Sequence, residues 1–255
     1  MADVDDIRIT PLTARPELTG RLYEIADTWP AFVPHDLVGS ALLGTVAEDF
    51  PAYCVVATVA DRVVARGLAV PFAGSGEGRE ETPGQGWDRV LGWAYDDRRR
   101  GRRPTAVSAL EITVDTDYQG RGLSYRMLRA LRAAAGRHGH DHLLAPVRPT
   151  GKHREPRVPM AVYAGRRRDD GLPADPWLRV HVRSGGTVEA IAPASMTVSG
   201  SLGQWRRWTG LPFDEDGDVE VPGALVPVRC DTVHGLGVYV EPNVWIRHRA
   251  RPPAG

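Results

Sequence analysis

The sequence predicts an α+β fold: a mixed, twisted sheet with helices on both faces, arranged like a three-layer α/β protein. Three observations carry this. Thr105–Val114 is a β-rich run that is largely apolar on both alternating faces, as befits a central strand covered on two sides. An amphipathic segment, Leu123–His138, and a second apolar run, His142–Val147, follow at short spacing. Such a strand–helix–strand order implies a right-handed crossover and parallel pairing. Tyr53–Ala60 and Val63–Val70 are separated only by Asp61-Arg62 and read as a hairpin, which adds antiparallel strands.

The elements follow in order. Ile7–Leu12 reads as a short first strand. Pro16–Trp29 carries Leu18, Leu22, Ile25 and Trp29 at helical spacing, and Asp36 is placed to cap a second helix, Leu37–Phe50. Pro71–Gly86 is rich in Gly and Glu and reads as a mobile loop; Arg98–Arg103 reads as a basic loop. Leu123, Met127, Leu128, Leu131, Ala134 and Ala135 form the inner stripe of the next helix, which Gly139 can end. Arg148–Asp175 is rich in Pro, Gly and Arg and reads as an insertion. Asp175-Pro176-Trp177 is a helix start, with Asp as cap and Pro first, and Gly185-Gly186 stops that helix. Thr187–Val198 is strand-like, Ser201–Thr209 a short helix, and Val219–Val228 with Val238–Arg247 a closing pair of strands.

The chain has 255 residues and shows no internal repeat, so one enlarged domain is expected over 1–255. Basic and acidic residues balance at 32 each, which argues against a general polyanion binder. Lys152 is the only lysine, and Cys54 and Cys230 are the only cysteines, too few for a disulfide scaffold or a four-cysteine zinc site. The acidic start, MADVDDIRIT, has no apolar core, and no apolar run approaches the ~20 residues of a membrane helix. A cytoplasmic protein with no membrane and no nucleic-acid partner is expected.

The sharpest local signal is the stretch from Val114 to Ser124, VDTDYQGRGLS, between strand and helix. Gly120 and Gly122 let backbone N–H groups approach a ligand, and a helix N-terminus adds unpaired N–H groups and partial positive charge. This suits a pyrophosphate; it also suits an ordinary tight turn into a helix. Gln119-Gly120-Arg121-Gly122-Leu123-Ser124 resembles the Gln/Arg-x-x-Gly-x-Gly/Ala motif of the GCN5-related N-acetyltransferase (GNAT) superfamily, with Ser124 at the last position. The layout of residues 5–200 is similar to that family, with motif-level support over about 105–190. Residues 71–104 and 148–175 exceed a minimal member as insertions, and 199–255 is an extension that completes the sheet, covers the acceptor pocket or forms a dimer contact.

The resemblance implies a sheet splayed at an acyl-CoA cleft between Thr105–Val114 and His142–Val147. Ile112, Thr113 and Val114 would meet the pantetheine arm, and Gln119, Gly120, Arg121, Gly122, Leu123 and Ser124 would cradle the pyrophosphate. Acetyl-CoA or another acyl-CoA would be the co-substrate, with no metal, and an amine of a small molecule would attack the thioester directly. An alternative keeps the fold and acts on acyl-CoA or acyl carrier protein thioesters, by transfer or decarboxylation, in natural-product assembly. A non-catalytic CoA-binding module is a third reading, and the resemblance admits a homodimer.

Direct attack needs a neutral amine, so a general base helps. Glu111 is the candidate, eight residues before Gln119, where family members often carry a catalytic glutamate. An acid on an apolar strand either reaches a cleft or pairs with an arginine. His181, four residues before Gly185, stands where the family's Tyr-x-x-x-Gly motif has tyrosine, and is the candidate acid for the leaving thiolate; otherwise it is a core histidine. Lys152, His153 and Tyr163 follow the second cleft strand and are candidates to touch substrate, against a solvated loop. Thr150-Gly151-Lys152 is no phosphate-binding P-loop, because Pro146 stands at its first glycine. His138, His140 and His142 straddle a helix end and a strand start, a poor arrangement for metal.

Overall fold

A computed structural model describes residues 6–25, 28–76 and 78–251. Among these the strands are β1 (Arg8–Pro11), β2 (Val55–Val59), β3 (Arg62–Phe72), β4 (Ala106–Val114), β5 (His142–Val147), β6 (Thr187–Ser201), β7 (Gly217–Val219), β8 (Val228–Asp231) and β9 (Leu236–Arg249). The helices are α1 (Leu37–Leu42), α2 (Val46–Asp49), α3 (Gly86–Arg100), α4 (Leu123–Arg137), α5 (Met160–Gly165), α6 (Pro176–Arg183) and α7 (Leu202–Thr209). The sheet runs β1-β2-β3-β4-β5-β9-β8-β7, and β6 pairs with β9. Every pairing is antiparallel except β4 with β5. One face packs on α4, α5 and α6 through Met127, Leu128, Leu131 and Leu178; the other buries Phe32, Trp87, Leu91, Trp205 and Trp245. The sheet is therefore mixed, with helices on both faces, as the sequence predicts.

Four local expectations are corrected. Pro16–Trp29 is a 3-10 helix over Pro16–Glu24, and residues 26 and 27 lie outside the described ones. Leu18 and Leu22 are still buried, so the apolar spacing serves the core without an α-helix. Leu37–Phe50 is broken into α1, a 3-10 turn at Leu43–Thr45, and α2; Gly44 and Thr45, weak helix formers, sit at the break. Arg98–Arg100, expected in a basic loop, are instead the end of α3, a helix over a stretch given no element above and anchored by Trp87, Val90, Leu91 and Ala94 at helical spacing. Val219–Val228 is not a strand: β7 ends at Val219 and β8 begins at Val228, with Pro222, Gly223 and Pro227 between them.

Two features position the site. The parallel ladder between β4 and β5 has one register pair, Ser108 with Leu144, so the strands part toward the C-terminal end of β4. In β4, the partner of Leu68 is Glu111 while that of Ala69 is Ala109, so Leu110 is an extra, bulged residue. Its carbonyl accepts from Trp87 Nε1 at 3.0 Å. The bulge reverses the alternation of faces. Ala109, Ile112 and Val114 all face the α4 side, whereas strict alternation would have grouped Ile112 and Val114 with Ala106. Glu111 is thereby turned to the side occupied by Leu110 and Arg66.

Candidate active site

A cleft of about 940 Å³ runs from the Gly120–Ser124 loop, through the gap between β4 and β5, to an acidic and aromatic end near Asp36, Trp87 and Glu241. Gln119, Gly120, Gly122, Leu123 and Ser124 line one end, and Ile112, Thr113 and Val114 line the middle. Arg121 does not line it; its guanidinium lies 5.6 Å from the centre of the Tyr118 ring. Gly120 and Gly122 both hold φ of 73°, the left-handed region where glycine is unstrained. An added Cβ at either would meet no protein atom within 4 Å, so both backbones border open space. Gly122 caps α4 without any side-chain hydrogen bond, leaving the first N–H groups of the helix without that partner. Gln119 Nε2 donates to the Val114 carbonyl at 3.1 Å and closes the loop. These residues fit the diphosphate of a CoA: open space, aligned donors, and the positive end of a 15-residue helix. Beyond Ser108 the edge of β4 that faces β5 has no ladder partner, so its backbone groups border the gap.

Glu111 both reaches the cleft and pairs with an arginine. Oε1 accepts from Arg66 Nε at 2.5 Å and from Thr113 Oγ1 at 2.5 Å; Oε2 takes neither bond. Both side chains of the pair are 3% exposed, and Arg66 also donates to the Leu22 carbonyl. Arg66 was not singled out in the sequence, although a lone arginine inside the apolar run Val63–Val70 was a signal for a buried partner.

His181 on α6 lines the cleft and is 2% exposed. Its Nδ1 is 2.8 Å from Nε2 of His248 on β9, and its ring meets Trp177 edge to face. Burial, then the neighbouring His248, pushes its pKa well below the usual histidine value; burial and then Arg132 push that of His248 down to about 4. A ring held uncharged carries no imidazolium proton.

Lys152, His153 and Tyr163 lie outside the cleft lining. Lys152 is fully buried, and its Nζ donates to the carbonyls of Glu155, Pro156 and Leu225. All three ammonium donors are thus used within the fold. Tyr163 donates to Asp175 Oδ2 at 2.9 Å, and the same carboxylate takes the N–H groups of Gly151, Trp177 and Leu178. His153 is half-buried in the one-turn 3-10 helix beside Lys152. Tyr163 thus ties the 148–175 segment to the α6 cap at Asp175, and Lys152 ties it to Leu225.

The far end of the cleft is built from residues that the sequence reading did not assemble. Glu241 is 1% exposed and accepts from Arg148 Nε, Tyr239 OH and Asn243 Nδ2. Asp36 caps α1 through Gly39 N–H, and Asp36 and Asp88 both accept from Thr197 N–H. Among the described residues neither aspartate forms an ion pair, unlike Glu111 and Glu241. Burial, then repulsion from Asp36, raises the Asp88 carboxyl to about 8, so it holds a proton at neutral pH. The folded value lies above the ordinary 3.8, so the folded state binds a proton that the unfolded state has lost between those values. Its contribution to stability therefore grows as pH falls from about 8 toward 4. Asp88→Asn is expected to flatten this slope, read as the difference in melting temperature between variant and wild type from pH 5 to 8.5. Among the described residues no group of three or more His, Cys, Asp and Glu is arranged to hold a metal, and no helix is long and apolar enough to cross a membrane.

No protein-family model matches the chain. Among curated proteins it is 32% identical over 267 residues to the arginine N-acetyltransferase avaD of Aspergillus versicolor, covering 92% of this chain and 91% of the relative. Among solved structures it resembles the loading GNATL domain of CurA from Lyngbya majuscula, with a TM-score of 0.59 and 14% identity over 96% of each chain. It also resembles the GphF GNAT-like decarboxylase solved with isobutyryl-CoA, with a TM-score of 0.54 and 18% identity over 96% of this chain and 99% of that one. At those identities the two structures speak for the fold.

Proposed function

The chain belongs to the GCN5-related N-acetyltransferase superfamily, and we propose on that premise that it transfers an acyl group from acyl-CoA to the amine of a small cationic acceptor, arginine or a molecule bearing its guanidinium. The N-acyltransferase class accords with the relative over nearly the whole chain. The single observation that carries the reading is the continuity of the cleft: the glycine loop, the free β4 edge and the acid-lined end open into one space.

The Gly120–Ser124 backbone and the α4 N-terminus would hold the diphosphate, and Ile112–Val114 the pantetheine arm. The thioester would then lie in the gap between β4 and β5, beside Glu111 and His181. The amine nitrogen bonds to the acyl carbon, the carbon–sulfur bond breaks, and the sulfur leaves with the electron pair. Glu111 takes the proton lost by the amine, through Oε2, and solvent protonates the sulfur. Proximity in one cleft supplies much of the rate, since both reactants are held for direct attack.

The acceptor class rests on charge. Arg66 and Arg148 neutralise Glu111 and Glu241, which leaves Asp36, with a protonated Asp88 behind it, as the carboxyl of this end that no arginine pairs among the described residues and that a bound cation would hold ionised. A guanidinium keeps its charge at any working pH, so it can be held there while a different nitrogen of the same molecule attacks. Free arginine and its neutral isostere citrulline separate this from simple shape recognition. With acetyl-CoA as donor, kcat/KM read by thiol release is expected to favour arginine by about 10–100-fold, the worth of a charge-assisted hydrogen bond. Equal values would contradict the cationic-acceptor reading.

A further inference from the structure

Among the described residues, three buried side-chain atoms lack a hydrogen-bond partner: Asp88 Oδ1, His181 Nε2 and His248 Nδ1. The last two belong to one pair, since His181 Nδ1 and His248 Nε2 are in contact at 2.8 Å. Leaving a buried polar atom unpartnered costs about 1–3 kcal/mol, so a pair with both outer nitrogens open needs an explanation.

Each neutral imidazole carries one N–H, so two arrangements satisfy the inner contact. In the first, His248 Nε2–H donates to His181 Nδ1. His181 then carries its hydrogen on Nε2, and His248 Nδ1 keeps a lone pair. In the second, His181 Nδ1–H donates to His248 Nε2, and the open N–H falls on His248 Nδ1. Two observations favour the first. His248 is fully buried and outside the cleft lining, so an N–H on its Nδ1 would have no acceptor, the rarer kind of orphan. His181 does line the cleft, so an N–H on its Nε2 lies where a bound molecule can accept it. Gly186 leaves room for the His248 ring: a Cβ there would lie 2.5 Å from His248 Cε1.

We propose that His181 acts as a neutral hydrogen-bond donor, through Nε2–H, to the sulfur departing from acyl-CoA, and that His248 is the positioning residue that fixes this tautomer. His181 keeps its hydrogen throughout; it stabilises charge as it develops on the sulfur. The proposal rests on the acyltransfer reading for the identity of the ligand, but not for the tautomer.

The test uses the whole chain labelled with ¹⁵N-histidine, with the two rings assigned from His181→Gln and His248→Gln. Two-bond ¹⁵N–¹H correlations of the free protein are expected to show His181 protonated on Nε2 and bare on Nδ1. The reverse would overturn the role of His248 whatever the protein catalyses. Titration with CoA is expected to move the Nε2–H signal, and titration with desulfo-CoA, which lacks the sulfur, to leave it in place. Equal effects of the two would overturn the contact with sulfur. Failure of both to bind would overturn the acyl-CoA reading instead, leaving the tautomer result to stand alone. In turnover, His248→Phe is expected to lower kcat on the order of 10²-fold, the scale of one lost donor in a developing-charge site, with both KM values within about twofold. His248→Gln, whose amide can donate to His181 Nδ1, is expected to recover a large part of that loss. An unchanged kcat in His248→Phe would overturn the proposal.

Discussion

Gly122→Glu is expected to weaken acyl-CoA binding by at least about 100-fold while leaving the protein folded. Gly122 sits at φ 73°, so any side chain there costs about 1–2 kcal/mol of backbone strain. That alone does not unfold a domain with two buried cores. The added Cβ meets no protein atom within 4 Å, so the glutamate has room only in the space where the diphosphate would lie. Its carboxylate would oppose the phosphate charge at the helix N-terminus and occupy the N–H groups that should hold it. Calorimetric titration with CoA, beside a circular dichroism melt, separates binding from folding. Gly122→Ala carries the strain without the charge and is expected to bind within a few-fold of wild type. Wild-type affinity in Gly122→Glu would remove the diphosphate from this loop.

Glu111→Gln is expected to lower both turnover and stability, and the two losses can be parted. Removing the carboxylate charge breaks a buried ion pair with Arg66, a kind of change that costs about 3–5 kcal/mol. Replacing the whole pair by apolar groups of similar volume is often neutral, so Arg66→Met/Glu111→Leu is expected to regain most of the stability in a urea melt. It is not expected to regain turnover, because no carboxylate remains to take the amine proton. Recovery of kcat in the double variant would make the Glu111–Arg66 pair structural only.

The β4–loop–α4 unit was legible because it is local. The strand's apolar faces, the two glycines and the helix stripe lie within one stretch, and each signal has a direct physical cause. The face on which Glu111 points was less legible, because it depends on a bulge at Leu110 that appears only when β3 and β4 pair. The acid-lined end was least legible. It joins Asp36 of the α1 cap, Trp87 of α3, Arg148 after β5, and Glu241 of β9. Helix α3 was hidden behind a Gly- and Glu-rich start, and β9 enters between β5 and β8 only through long-range pairing. At His181 the motif position was legible, whereas the buried contact with His248, which favours the uncharged ring, joins α6 to β9 and appears only in the fold.

Acylation of an amine at the expense of acyl-CoA is tested most directly by mass spectrometry of the products when the protein is incubated with acetyl-CoA and free arginine. The expected result is N-acetylarginine, acylated on the α-amine, in amounts equal to the CoA thiol released, with neither product formed when either substrate is omitted. Thiol release without an acylated amine, or neither product in the presence of both substrates, would contradict it.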